Sequence, residues 1–575
     1  MAKDKSNPRA LSTPAPEAGA SALSRRDLVQ ATTILAGAAL AARGEARAQS
    51  VAATPSAARA NGGQTPVPRP NTTPALGGGA AGQIFWTADT AYGRVQGIAN
   101  GEIKEFKGIP YGAPTGGRNR FMAPKKPRPW TGVRDCIGYG QISPQTPAAL
   151  AGDYAMMIMW DRHVGPGGMG EDCLNLNIWT PGLKDGAKRA VLVSFHGGGW
   201  TTGSGNGPMY DGGQLARFGD VVVVTVNHRL GAFGYTHLAD LGGDDFAESG
   251  AVGVMDMVAS LAWVRDNIDN FGGDPGRVMI FGQSGGGSKT STLLATPSAK
   301  GLFHRAAVQS GSTLRQGTRD DGTQAAEALL KTLGADRKDL HGLQNPSWQA
   351  LLAAQVASGG NFRPTIGGAA LPHHPFDPVA PSESADVPVI ISTTLHDAAL
   401  RLTNFDLDES GLKAALKERF GAKSDAIYAA YRQENPRQSP YLVQAEAFTD
   451  ATRGNAIKQA SLKAALGGAP AYLYVWNWAT PAFDGKFGAV HGHDVDASFH
   501  QYRSPICGAG MAGGRLMCDR LATTWVSFAK SGDPNNALIP HWPSYEAKTR
   551  ATMVFDTAMR VENDYRGDFV RMLAT

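Results

Sequence analysis

A serine flanked by glycines is the feature of this chain that points most directly to chemistry. The apolar run 278–281 predicts a buried strand, and Gly-Gln-Ser-Gly-Gly at 282–286 follows it. The residues from Lys289 to Leu294 can start a helix. Gly-x-Ser-x-Gly between a strand and a helix is typical of a nucleophile elbow, in which a sharp turn exposes the serine hydroxyl to a carbonyl group. Short motifs also occur by chance in glycine-rich turns, so Ser284 needs support from the rest of the chain.

A second glycine-rich segment precedes this serine by about 85 residues. The apolar run 190–195 predicts another strand and leads into His-Gly-Gly-Gly-Trp at 196–200. Glycines at a strand end leave backbone N–H groups open, and acyl transfer needs such donors because the attacked carbonyl oxygen becomes an anion. We predict an oxyanion hole formed by the N–H groups of Gly198, Gly199 and Gly285. Without the elbow, the same segment would indicate only a flexible loop.

Segments on both sides of the elbow share a pattern with one known family. Glu-Asp-Cys-Leu-Asn-Leu-Asn at 171–177 is one, and the others lie at 106–111, 120–121, 144–145, 227–231, 263–268, 271–275 and 531–535. Together they resemble the type-B carboxylesterase/lipase family, which includes cholinesterase-like proteins, over roughly residues 83 to 570. The resemblance implies an α/β-hydrolase fold, hydrolysis of a small-molecule carboxylic ester, and no requirement for a metal or an organic cofactor.

The partners of the serine come from this resemblance. A serine hydroxyl is a weak nucleophile at neutral pH, so a histidine must take its proton and a carboxylate must orient that histidine. By alignment with the family, Asp397, which follows the strand-like run 389–394, is the acid, and His491 is the base. The family usually has glutamate at the acid position, and the shorter aspartate requires a closer approach to the histidine. The alternatives left open are Asp406 and Asp408 for the acid and His493 for the base.

These motifs predict one large α/β-hydrolase domain over residues 82–575. We expect a mostly parallel, twisted sheet with helices on both faces and the site at the carboxyl ends of its strands. Helical patterns near 312–385 and 400–470 predict insertions that form a helical cap. A non-enzymatic adhesion module of the same fold would lack the nucleophile, whereas every triad position here has a candidate. Amide or thioester hydrolysis stays open, because these reactions share the oxyanion chemistry.

The first 81 residues predict export rather than catalysis. Ser-Arg-Arg-Asp-Leu-Val at 24–29, the apolar stretch 31–42 and Ala-Arg-Ala at 46–48 predict a twin-arginine signal peptide over residues 1–48. The apolar stretch is too short for a stable membrane span, although a retained anchor is an alternative. Residues 49–81, rich in Ala, Pro and Gly, predict a disordered linker. The expected partner of the precursor is the twin-arginine export machinery, and the expected location is periplasmic or secreted.

Charge and cysteine content narrow the partners further. The first 48 residues carry a net charge of +3 out of a total of +5, and no basic stripe with interleaved aromatic residues follows, so we expect no nucleic-acid partner. In an oxidising compartment, Cys507 and Cys518 are close enough in sequence to pair, and buried free thiols are the alternative. Cys173 lacks its usual family partner, because Ser143 stands at that position. No Cys/His spacing resembles a zinc site.

Overall fold

The computed structural model of the protein describes residues 83–146, 152–158 and 167–574. The predicted signal peptide at 1–48 and the predicted linker at 49–81 lie outside these residues.

One sheet contains the strands of the described residues. They are β1 (Phe85–Thr90), β2 (Gly93–Asn100), β3 (Ile103–Pro110), β4 (Val133–Asp135), β5 (Asn175–Thr180), β6 (Arg189–Phe195), β7 (Val222–Val226), β8 (Gly273–Gln283), β9 (Arg305–Gln309), β10 (Val389–Thr394), β11 (Ala471–Trp476), β12 (Ala551–Phe555) and β13 (Arg560–Asn563). Their spatial order is β1-β2-β3-β5-β7-β6-β8-β9-β10-β11-β12-β13, and β4 pairs with β2. Every neighbouring pair from β7 to β12 is parallel, whereas β1, β2, β3, β5 and β13 pair antiparallel along this order.

Helices connect most of the parallel strands. The α-helices of the described residues are α1 (Gly152–Met157), α2 (Gly213–Gly219), α3 (Gly231–Tyr235), α4 (Ala239–Gly242), α5 (Val252–Asn267), α6 (Gly285–Leu293), α7 (Arg319–Leu333), α8 (Trp348–Ser358), α9 (Glu409–Phe420), α10 (Ser424–Glu434), α11 (Pro440–Ala465), α12 (His493–Ser498), α13 (Ala512–Ser531) and α14 (Gly567–Leu573). The segment 312–385 therefore contains α7 and α8, and the segment 400–470 contains α9 to α11.

The central strands β6 and β7 are mostly apolar, and both faces of the sheet are covered there. Successive side chains of a strand point to opposite faces. On β6, Val191 and Val193 belong to one hydrophobic core and Leu192 to the other, and all three are fully buried. A strand buried on both sides shows a continuous apolar run instead of an alternating one. The expected α/β fold, with a mostly parallel sheet flanked by helices, is confirmed.

The cysteines of the domain are all buried. The sulfur atoms of Cys507 and Cys518 lie 3.6 Å apart, so the two thiols are in contact but not bonded. The pairing of these two residues stays a prediction. The hydroxyl of Ser143 accepts a hydrogen bond of 3.0 Å from the N–H group of Leu230, which gives this residue a structural contact at the position where the family usually has a cysteine.

Candidate active site

Ser284 lies between β8 and α6 in a conformation that is unusual for a residue with a side chain. Its φ of 58° and ψ of −120° lie outside the favoured regions for non-glycine residues. A Cβ atom at Gly286 would lie 2.0 Å from the carbonyl oxygen of Phe195, and one at Gly282 would lie 2.5 Å from the same oxygen. The flanking glycines therefore allow the strand, the turn and the helix to pass closely against the end of β6. This local geometry is that of a nucleophile elbow.

Asp397 and His491 form a hydrogen-bonded pair although 94 residues separate them. The Nδ1 atom of His491 lies 2.8 Å from the Oδ1 atom of Asp397. The hydroxyl groups of Thr394 and Ser310 donate hydrogen bonds of 2.8 and 3.0 Å to the same carboxylate oxygen. Asp397 stands three residues beyond the end of β10, and Ser310 directly follows β9. The ends of two neighbouring parallel strands thus fix the carboxylate that contacts the imidazole.

The surroundings of Asp397 favour its ionised form. Burial alone would raise the pKa of this carboxyl group, but the charge of His491 and the hydrogen bonds from His491, Thr394 and Ser310 together lower it below its ordinary value. The backbone of the histidine is also held, because the hydroxyl group of Tyr154 on α1 donates a 2.8 Å hydrogen bond to the carbonyl oxygen of His491. The pair is therefore fixed from both sides.

The alternatives left open by the sequence lie in different environments. His493 is fully buried, its ring packs against the rings of Trp476 and Trp478, and burial lowers its pKa to about 3. Asp408 caps α9, where its carboxylate accepts a 2.7 Å hydrogen bond from the N–H group of Gly411. Asp406 is exposed in the loop before that helix. None of the three contacts His491 through a hydrogen bond within the described part of the chain.

The glycine segment after β6 approaches the elbow closely. Gly198 and Gly199 have φ values of 89° and 63°, which favour glycine. The carbonyl oxygen of Gly198 accepts a 3.0 Å hydrogen bond from the N–H group of Thr202, whereas the N–H groups of Gly198 and Gly199 have no acceptor among the described residues. A Cβ atom at Gly285 would lie only 2.3 Å from the backbone nitrogen of Gly199. Gly285 therefore permits the contact between this segment and the start of α6.

Two cavities share the serine. The first has a volume of about 510 Å³, and its walls include Ser284, His491, Gly198 and Gly199. The rest of this wall is formed by Tyr154, Ile158, Gly197, Thr201, Thr202, Met209, Tyr210, Gln283, Leu400, Arg401, Thr403 and Gly492. The second has a volume of about 300 Å³ and is bounded by Ser284, Gly199, Gly285 and Asp397. The residues predicted for the site therefore line two cavities that share Ser284 and Gly199, although they come from four separate segments.

The two other histidines near these strand ends have structural contacts. The rings of His196 and His228 are buried and stack at 5.0 Å between centroids. The Nδ1 atom of His196 lies 2.8 Å from the carbonyl oxygen of Gly197, and that of His228 lies 2.9 Å from the carbonyl oxygen of Arg229. Burial lowers the pKa of His228 well below its ordinary value. This pair supports the base of the glycine segment.

Sequence reasoning missed four residues that contact the site: Tyr154, Lys289, Ser310 and Thr394. A hydroxyl group at a strand end is common, so Ser310 and Thr394 carry no signal before the fold is known. A lysine in the first turns of a helix that packs under the sheet edge is unusual, and Lys289 was the one member of the set with a sequence-level signal. On the sequence alone, this lysine is predicted only to be part of a helix.

The described residues contain no group of three or more His, Cys, Asp or Glu side chains suited to hold a metal ion. Within the same ranges, each helix is too short or too polar to cross a membrane.

A mostly parallel sheet whose central strand ends in a serine elbow defines an α/β hydrolase. The model of the Carboxylesterase family matches residues 86–573, and the chain belongs to this family. The chain is a carboxylic ester hydrolase. The family assignment made from the sequence motifs is confirmed.

Individual relatives span nearly the whole domain. The para-nitrobenzyl esterase of Bacillus subtilis (strain 168) is 32% identical over 490 residues, which cover 83% of this chain and 96% of the relative. The phenmedipham hydrolase of Pseudarthrobacter oxydans is 32% identical over 488 residues, which cover 81% of this chain and 94% of the relative. The crystal structure of the carboxylesterase EST55 of Geobacillus stearothermophilus superposes with a TM-score of 0.72 at 32% identity and covers 85% of this chain and 99% of its own.

Proposed function

We propose that this carboxylesterase works through a Ser284–His491–Asp397 triad and a covalent acyl-enzyme. His491 takes the proton of the Ser284 hydroxyl as its oxygen bonds to the ester carbonyl carbon. The carbonyl oxygen becomes an anion that accepts hydrogen bonds from the N–H groups of Gly198, Gly199 and Gly285. His491 then gives its proton to the leaving alcohol, and the C–O bond to the alcohol breaks. Water, deprotonated by the same imidazole, attacks the acyl carbon. His491 then returns this proton to the Ser284 oxygen as the bond between that oxygen and the acyl carbon breaks, which releases the acid and restores the serine hydroxyl.

The observation that carries this proposal is the 2.8 Å contact between His491 and Asp397 at the cavity that also exposes Ser284. The test is Ser284→Ala assayed with an aryl ester, an anilide and a thioester that share one acyl group. We expect the wild type to hydrolyse the ester fastest and the variant to lose all three activities. Ester turnover by the variant at the wild-type rate would disprove the assigned nucleophile. Faster cleavage of the anilide or the thioester by the wild type would instead mean that the preferred substrate is an amide or a thioester.

The positions of the two cavities also orient the ester. Because His491 must protonate the leaving oxygen, the alcohol portion belongs in the 510 Å³ cavity, whose wall includes that histidine. The acyl portion then belongs in the 300 Å³ cavity on the other side of Ser284. Its wall consists mainly of hydroxyl and amide side chains, those of Ser288, Ser310, Ser312, Thr313, Thr393, Thr452 and Asn455. We therefore expect short, polar acyl groups to be preferred over long alkyl chains.

A matched pair of esters tests this orientation. With 4-nitrophenol as the common alcohol, the 3-hydroxybutyrate ester should show a higher kcat/KM than the butyrate ester. Thr313→Val, which removes a hydroxyl group from this wall at nearly constant volume, should reduce the ratio. A preference for butyrate that Ser284→Ala still abolishes would refute the polar acyl site and leave the triad intact.

We further propose that residues 1–48 direct twin-arginine export, so that the mature enzyme is periplasmic or secreted. The support is the Arg25-Arg26 pair followed by a mild apolar stretch and Ala-Arg-Ala. Replacing both arginines with lysine should keep the esterase activity in the cytoplasmic fraction, whereas the wild type should release it with the periplasm or the medium. Equal fractionation of the two forms would rule out this route.

A further inference from the structure

Lys289 is a buried lysine whose amino group contacts the predicted oxyanion segment. It lies on α6, one helical turn beyond Gly285, and its side chain is fully buried. Its ammonium group donates a 2.8 Å hydrogen bond to the carbonyl oxygen of His196 and a 3.0 Å hydrogen bond to that of Gly199. These two carbonyl groups stand at the two ends of the glycine triplet. One side chain therefore spans the segment that carries the proposed oxyanion donors.

Burying the ammonium group of Lys289 costs folding free energy. Burying an ammonium group without an anionic partner is unfavourable. Within the described ranges, no carboxylate forms an ion pair with the ammonium group of Lys289. Burial lowers the pKa of Lys289 to about 7, which reflects that penalty. The ring of Trp200, whose centroid lies 5.7 Å from the Nζ atom, offers a weak cation–π contact at most. An apolar side chain would fill the same space without the penalty.

The two hydrogen bonds restrict a segment that would otherwise be unusually free. Three successive glycines have access to more backbone conformations than any other tripeptide. Because a peptide group is planar, fixing the carbonyl oxygens of His196 and Gly199 fixes the peptide planes 196–197 and 199–200, which lie directly before and after the two planes that carry the N–H groups of Gly198 and Gly199. Donors that are already aimed at the developing oxyanion need no reorganisation during the reaction.

We propose that Lys289 is a positioning residue of the oxyanion hole, which it holds in shape through the carbonyl groups of His196 and Gly199. The inference rests on the proposed function, since it assumes that Gly198 and Gly199 bind the oxyanion. It predicts that Lys289 matters more for the tetrahedral state than for binding of the substrate. A lysine that only filled space in the core would affect folding and leave that difference unchanged.

The chain offers a matched control in Lys463. This lysine on α11 is also buried, and its ammonium group donates hydrogen bonds of 2.9 Å to the carbonyl oxygens of Ser384 and Ala385. Burial lowers its pKa to about 8. It lines neither of the cavities that share Ser284. Lys463→Met therefore removes the same kind of interaction at a distance from the site.

The experiment compares Lys289→Met and Lys463→Met by kcat per active site, with active sites counted by a fluorophosphonate that labels Ser284. For Lys289→Met we expect kcat to fall about 10- to 100-fold, less than or similar to the loss of one oxyanion donor, with KM within about threefold of the wild-type value. The inhibition constant of an aryl trifluoromethyl ketone, which forms a tetrahedral adduct with the serine, should rise by a similar factor. Lys463→Met should lower the thermal stability and leave kcat per active site unchanged.

A kcat per active site within threefold of the wild type for Lys289→Met would overturn the proposal, and so would a lower kcat with unchanged affinity for the ketone. Lys289→Gln, which keeps donor atoms but no charge, should give an intermediate loss and decides the question if the methionine variant does not fold. Loss of activity in Ser284→Ala together with a normal Lys289→Met would refute this inference alone. Full activity in Ser284→Ala would refute the proposed function itself.

Discussion

The two loops that flank Ser284 are held by buried groups of opposite kind, a basic group on one side and acidic groups on the other. On one side, the glycine segment 196–200 is bonded to the ammonium group of Lys289. On the other side, His491 contacts the carboxylate of Asp397, and the helix that follows it carries Asp494 and Asp496, which are both fully buried. The basic group therefore holds the segment that carries the proposed oxyanion donors, and the carboxylate of Asp397 holds the proposed base.

This difference matches the charges that the proposed reaction creates. Proton transfer from Ser284 makes the imidazole of His491 positive, and addition to the ester makes the carbonyl oxygen negative. Fixed groups of opposite sign near each developing charge stabilise the transition state without reorganising. The three aspartates near this loop differ in pKa. The contacts of Asp397 with His491, Thr394 and Ser310 lower its pKa, whereas burial raises the pKa of Asp494 to about 6 and that of Asp496 to about 7. Only Asp397 is adapted to stay ionised across the whole neutral range.

The largest expected effect distinguishes His491 from His493, two residues further along the chain. His491→Ala should lower kcat by about 10⁶-fold, because it removes the only group that moves the proton of the serine. His493→Phe should keep kcat within about threefold, because this ring is fully buried and packs against two tryptophan rings. Steady-state hydrolysis of 4-nitrophenyl acetate checks both. A large loss of kcat in His493→Phe, with kcat kept in His491→Ala, would show that His493 is the base. The carboxylate of Asp397 would then not contact the base.

Among the acidic groups, Asp397→Asn should have the largest effect, a fall in kcat of about 10⁴-fold. The amide no longer stabilises the imidazolium ion and favours the wrong tautomer of His491. Asp494→Asn is the matched control, since its carboxylate accepts a 2.7 Å hydrogen bond from the hydroxyl group of Tyr474 rather than from the base. We expect this control to change kcat by less than about tenfold. Equal losses in both variants would mean that the acidic side acts as one unit.

A feature of the fold or the site can be predicted from the sequence when neighbouring residues encode it. The elbow at Ser284 and the glycine segment at 196–200 are encoded within a few residues each, so their positions and much of the central sheet followed from apolar runs and turn residues. Asp397 and His491 were selected through the family resemblance, because no local pattern joins residues that are 94 positions apart.

The contacts that hold the site were not predictable in the same way. The hydrogen bond from Tyr154 to the backbone of His491 joins residues 337 positions apart. The contact between Gly285 and Gly199 arises only when α6 packs against the end of β6. Lys289 is conspicuous in the sequence because its charge lies in a helix start of small residues, but its two acceptors are backbone carbonyl groups, which every residue has. A contact with a backbone carbonyl group therefore cannot be inferred from the types of the residues that form it.

The smallest effect concerns pH and tests whether the buried acids behind His491 are a cost to folding. Because the pKa of Asp496 is raised to about 7 in the folded protein, from about 4 when unfolded, the unfolded state ionises first as the pH rises. The free energy of unfolding should therefore fall between about pH 4 and about pH 7 and then level off. Asp496→Asn removes this dependence, so its melting temperature relative to the wild type should rise from about pH 5 to about pH 8. Asp406→Asn, at an exposed position, should show no such trend. Parallel pH profiles of Asp496→Asn and the wild type would mean that the folded protein stabilises the ionised carboxylate of Asp496. In that case, Asp496 and Asp397 would both be negatively charged at neutral pH.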